Sequence, residues 1–169
     1  MKQYASSFSD LCIMVFRDLG QIPISAGEPY TSDTSVVEEW DITAVIGLAG
    51  SAKGAVVLSM KQEVALQLID KLSGRTHTTI DHEVIDGLGE ITNVIAGRAK
   101  HIMENEFRFE IALPVVVVAQ NMQNMMEGQA SSLNWPVPPV RNIRIPFTIF
   151  ENESFILSVS VQNDAKTKK

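Results

Sequence analysis

Residues 81–106, DHEVIDGLGEITNVIAGRAKHIMENE, decide how the rest of the chain is read. At about 100° per residue, Ile85, Leu88, Ile91, Thr92, Ile95, Ala99, Ile102 and Met103 gather on one side of a long helix opened by Asp81. That side must face a core. Asp86, Glu90, Asn93, Gly97 and Glu104 fall opposite, within a sector of about 60°. Glu90 and Asn93 are three positions apart, so their side chains emerge as neighbours. Gly87, Gly89 and Gly97 lie inside the same helix, where each costs about 1 kcal/mol relative to alanine. Something other than helicity must favour them. At Gly97, on the polar side, the missing side chain would let another protein approach closely.

Working outward, Phe8, Leu11, Cys12, Val15, Phe16 and Leu19 recur at helical spacing, which predicts a helix over 4–19 stopped by Gly20. Residues 21–35, with Pro23, Gly27 and Pro29, read as a loop. Strands are expected over Val36–Ala49 and Val56–Ser59. The intervening Gly50–Gly54 reads as a hairpin turn. Gly47 to Lys53 is no phosphate loop: Ala52 precedes the lysine, Gly54 follows it, and a strand comes next. Ser59, with Gln62, predicts a capped helix from Met60 to Leu72 ended by Gly74. Beyond the long helix, strands are expected over Phe109–Gln120, Asn142–Phe150 and Ser154–Gln162. Between the first two lies a long connection, 121–140, which includes Met122 to Met126 and whose length suits either a functional or a mobile loop. The order α-β-β-α-α-β-β-β implies an α+β fold with helices packed on a largely antiparallel sheet. One domain is expected over residues 1–162, with a polar tail over 163–169.

Composition narrows the function. The chain has 169 residues, 45% of them apolar, which suits a single domain with a real core. A net charge of -6, with basic residues scattered except for Lys166, Lys168 and Lys169, argues against nucleic-acid binding. No apolar run reaches the roughly 18 residues of a membrane span, and no signal-peptide pattern opens the chain. A cytoplasmic protein without membrane insertion is the expectation. The single cysteine, Cys12, sits in an apolar stripe and reads as an inert buried thiol. His77, His82 and His101 are not at zinc spacing and read as solvated or capping residues.

Asp86-x3-Glu90-x2-Asn93, followed by Pro114, resembles the signature of the CheC, CheX and FliY response-regulator phosphatases. The stretch Leu88 to Gly97 is close to that family's wording. Gly54–Ser59, Pro114–Val118, Ile145–Ile149 and Phe155–Val161 resemble its strands, so the similarity covers nearly the whole chain. CheC proteins carry Glu-x2-Asn twice, whereas it occurs once here, and the first helix has Asp10 and Arg17 but no such pair. The chain is thereby similar to the CheX type.

The resemblance implies dephosphorylation of a phospho-aspartate on a CheY-like receiver domain. Asn93 would position the attacking water, since an amide both donates and accepts hydrogen bonds, and Glu90 would pair with a lysine of the receiver. Asp86, Gly97 and Pro114 would support or dock. The chain itself would bind no cofactor, with Mg²⁺ expected from the receiver, and a homodimer is implied. Three other readings stand beside this one. They are a non-catalytic receiver-binding or scaffold module, a structural or oligomerisation domain, and a small-phosphoester hydrolase, for which neither nucleophile nor phosphate loop is evident.

Overall fold

Strict alternation builds the centre of the sheet. In β3 (Ile42–Gly50), Ile42, Ala44, Ile46 and Leu48 are buried on one face. In β7 (Asn142–Ile149), Ile143, Ile145, Phe147 and Ile149 are. β4 (Lys53–Met60) and β8 (Glu153–Gln162) lie between them. The computed structural model describes residues 4–32, 40–118 and 142–162. Among them the sheet runs β1-β7-β8-β4-β3-β5, with β1 (Ile24–Ala26) and β2 (Tyr30–Ser32) both on β7, and β5 (Phe109–Ile111) and β6 (Val115–Val118) both on β3. Every pairing is antiparallel.

Three helices cover the buried face: α1 (Ala5–Gly20), α2 (Gln62–Ser73) and α3 (His82–Met103). Phe155 of β8 stacks on Phe16 of α1 and on Phe147 of β7, each at 5.0 Å between ring centroids. Leu88, Ile91, Ile95 and Met103 of α3 are buried in the same core. Burying a side chain of this size stabilises by roughly 2 kcal/mol. The α+β reading therefore holds, with the three helices of the described residues on one side of an antiparallel sheet.

Several local expectations are corrected. Residues 21–35 are not simply loop, because β1 and β2 form there by pairing with β7. Three-residue strands carry too little alternation to show in sequence. The first strand begins at Ile42 rather than Val36, and residues 33–39 lie outside the described set. The turn after it is the expected hairpin, with Leu48 opposite Gly54. Ser59 does not cap α2. It lies in β4 and its hydroxyl meets that of Thr43 at 3.0 Å. The cap position is Lys61, and the Gln62 N–H donates instead to Asp41, which arrives just before β3. α1 ends with Gln21, not Gly20, in the left-handed conformation. Gly20 serves contact, since a Cβ there would lie 2.6 Å from Leu72 Cδ2.

The expected strand over 109–120 is broken. Leu48 pairs with Ile111 and Val45 with Val115, so Ile46 and Gly47 face three residues, Ala112, Leu113 and Pro114. This is a β-bulge. Ala112 N–H still donates to the Gly47 carbonyl at 2.9 Å, while Pro114, which has no N–H, occupies the irregular position. The connection 121–140 and the tail 163–169 lie outside the described residues.

Candidate functional site

α3 positions the site. Asp81 caps its first turn by accepting from Val84 N–H at 3.0 Å. Thr92, fully buried, donates to the Leu88 carbonyl at 2.7 Å, so the polar residue within the core stripe is satisfied. Val84 and Ala96 are buried, whereas Ile85 and Ile102, expected in the core, are half-buried at its edges. α1 and α2 pack against α3, as do β3, β5 and β6.

Asp86, Glu90 and Asn93 are exposed on the opposite side, and Gly97 is half-buried there. Among the described residues, the Asn93 amide has no hydrogen-bond partner, and neither Asp86 nor Glu90 has an ion-pair partner. Residues three apart on a helix have Cβ atoms about 5–6 Å apart. A carboxylate and a carboxamide thus stand side by side, unbonded, on a helix whose other side is locked into the core. No group of three potential metal ligands occurs among the described residues.

The glycines have separate reasons. A Cβ at Gly87 would come 2.6 Å from Ile69 Cδ1, so α2 lies tight against α3 there. At Gly89 the neighbour is Pro114, whose Cγ would lie 3.4 Å from an added Cβ. The bulge therefore brings Pro114 under α3 beside Glu90, although it does not share the exposed side with Glu90 and Asn93. At Gly97 an added Cβ would meet nothing within 4 Å among the described residues.

The flank toward α1 and α2 is charged and ordered. Arg98 of α3 pairs with Asp18 at the end of α1 at 2.9 Å. His77, between α2 and α3, is not solvated as expected. Its side chain is 4% exposed, with Nδ1 2.7 Å from Asp70 Oδ1 and Nε2 3.3 Å from Glu83 Oε2. Arg75 also reaches Glu83, at 3.1 Å. The hydrogen bond to Asp70 raises the His77 pKa above its ordinary 6.5 against the opposing effect of burial, and Glu83 and Asp81 add to the rise. The same hydrogen bond lowers the Asp70 pKa from its ordinary 3.8.

The signs follow from linkage. His77 contributes stability that is complete below about pH 6.5 and is lost as pH rises through its raised folded value. Asp70 contributes stability that is present above about pH 3.8 and is lost as pH falls through its lowered folded value. The melting temperature is expected to decline on the alkaline side of 6.5, and His77→Gln should flatten that decline. A wild-type curve and a variant curve of identical shape would contradict this. Sequence reasoning missed this clasp because Asp70, His77 and Glu83 belong to three successive segments and carry no motif spacing.

Comparison with known proteins bears on the fold and the family. The family described as chemotaxis phosphatase CheX matches residues 42–137. The CheY-P phosphatase CheX of Thermotoga maritima is 25% identical over 142 residues, covering 80% of this chain and 84% of the relative. Two crystal structures share the fold. Chemotaxis protein CheX from Vibrio vulnificus has a TM-score of 0.75 at 22% identity, covering 95% of this chain and 99% of that one. The CheX of a CheX–CheY–BeF3–Mg²⁺ complex from Borrelia burgdorferi has a TM-score of 0.70 at 23% identity, covering 94% and 97%. With the matched region spanning both the exposed Glu90–Asn93 pair and the bulge that carries Pro114, this chain belongs to the chemotaxis phosphatase CheX family.

Proposed function

We propose that this chain hydrolyses the phospho-aspartate of a CheY-like receiver domain, with Asn93 and Glu90 as the working pair. The observation that carries the reading is their placement as exposed, unbonded neighbours on a core-anchored helix. The Thermotoga relative is a CheY-P phosphatase, and the Borrelia CheX is found with CheY, which supports a receiver as partner here too.

An acyl phosphate is already activated, so catalysis needs chiefly a water held in line with the bond that breaks. The Asn93 amide can accept from that water through its oxygen and donate to a phosphoryl oxygen through its nitrogen. Glu90 would pair with a cation of the receiver and set the angle at which α3 enters. Mg²⁺ would arrive on the receiver and offset charge on the phosphoryl group. Asp86 would add to the docking charge, Pro114 would hold α3 at its distance from the sheet edge, and Gly97 would leave room for the partner's surface.

Phosphate release from purified phosphorylated receivers tests the assignment. Glu90→Lys is expected to raise the KM for the receiver at least tenfold, because it sets two like charges at the dock. An unchanged KM removes the docking role. Gly97→Ala, placed in open space, should raise stability by about 1 kcal/mol through helix propensity. The same variant should lower kcat/KM if the partner closes over this position. A gain in melting temperature with full activity would take Gly97 out of the dock.

The assembly is proposed to be a homodimer in the cytoplasm, where receiver domains act. β6 supports the first point. Among the described residues it pairs on one side only, with β3, and Leu113 and Val115 beside that edge are 87% and 51% exposed. Light scattering should return about twice the chain mass of 18.6 kDa, and a monomer mass would exclude the dimer. No helix among the described residues is long and apolar enough to cross a membrane.

A further inference from the structure

An open groove of about 710 Å³ begins at Glu90 and runs between α3 and the ends of α1 and α2. Its floor is apolar, formed by Ile69, Leu72 and Ile91, with Leu19 at the lip 41% exposed. Gly87 also lines the groove, and a Cβ there would lie 2.6 Å from Ile69 Cδ1, so α2 packs close against α3 at the groove's floor. The rim bears Glu83, Asp86 and Glu90. Glu83 is already engaged by Arg75 and His77. Asp86 and Glu90, one helical turn apart, have no ion-pair partner among the described residues. Like charges at this spacing cost a helix a few tenths of a kcal/mol, and a cation laid between or beside them removes that cost.

We propose that this groove is a second docking subsite that selects among receivers. Its occupant is a basic side chain of the receiver, separate from the one paired with Glu90. The methylene stem would lie on Leu19 and Leu72, and the charged head would face Asp86. An apolar floor with uncompensated negative charge along one rim matches the two halves of a lysine or arginine side chain. Anionic ligands are repelled by the same rim. The inference rests on the phosphatase reading, because a partner docked at Glu90 is what brings its surface over the groove.

The test is steady-state dephosphorylation of the host's receiver domains, each phosphorylated with acetyl phosphate. The proteins compared are the wild type, Leu19→Ser and Asp86→Lys, with melting temperatures as a folding control. Both substituted side chains are exposed, so both variants are expected to fold. For the receiver that the wild type turns over fastest, each variant should raise KM about tenfold while kcat stays within twofold. Reversing one basic residue on that receiver to glutamate should restore the KM of Asp86→Lys. The wild-type KM should climb with ionic strength more steeply than that of Asp86→Asn. A wild-type KM in either Leu19→Ser or Asp86→Lys, with wild-type turnover intact, overturns the groove and leaves the phosphatase reading standing. No turnover of any receiver by the wild type defeats the phosphatase reading first, and the groove with it.

Discussion

Asn93→Ala is expected to slow receiver dephosphorylation about 100-fold with no fall in the melting temperature. The amide is exposed, so truncating it opens no cavity. It has no hydrogen-bond partner among the described residues, so no internal bond is lost. α3 keeps its cap at Asp81 and its buried stripe. What disappears is the group that orients water, and a factor of 100 corresponds to about 2.7 kcal/mol of transition-state stabilisation. The loss should appear in kcat, because the docking carboxylate Glu90 is untouched. A variant that releases phosphate at the wild-type rate would show that Asn93 does not hold the water. A variant that loses only affinity would move Asn93 from catalysis to docking.

Gly50→Ala is expected to destabilise the fold by about 3 kcal/mol, a fall of roughly 10 °C in melting temperature for a chain of this size. Gly50 closes β3 with φ of +152°, a conformation that L side chains rarely adopt. Its missing Cβ points at the Arg108 carbonyl, within van der Waals overlap. Backbone cannot step aside as a flexible side chain can. The same carbonyl accepts from Ser51 N–H at 3.0 Å, and the Ser51 hydroxyl accepts from Arg108 N–H at 2.9 Å. A shift to relieve the methyl group would therefore pull apart the stitch between the β3–β4 hairpin and the start of β5. Thermal unfolding at neutral pH reads the effect. A variant as stable as the wild type would mean that β3 relaxes at its end without cost.

Glycine alone shows how far residue identity reaches. In sequence, Gly87 and Gly97 are equivalent exceptions to good helix design, and Gly50 reads as an ordinary turn residue. In the fold, Gly50 is held by backbone strain and a carbonyl, Gly87 by the approach of Ile69, and Gly97 by nothing among the described residues. The position with no internal reason lies on the same side of α3 as Glu90 and Asn93, where a partner is proposed to dock.

The candidate pair was legible because both members sit on one continuous element. Helical periodicity acts over a few residues, so the spacing of Glu90 and Asn93 and the apolar side opposite them can be read without any long-range contact. The elements missed were those made by pairing. β1 and β2 exist only because β7 offers them a ladder, and the break at Ala112–Pro114 appears only when the strand is laid beside β3. The cap of α2 was assigned to the nearest serine in sequence, whereas the bond is made by Asp41, 21 positions away.

Local chemistry thus sufficed for the order of the main helices and strands, for the side of α3 that faces water, and for the identity of the two side chains there. Those features depend on dihedral preference and on where apolar groups recur, both of which are properties of short stretches. Packing alone settled three others: Pro114 under Gly89, His77 between Asp70 and Glu83, and the groove between α2 and α3 beside Glu90. Each joins residues from different elements, and such meetings arise only when the sheet and helices have closed on one another.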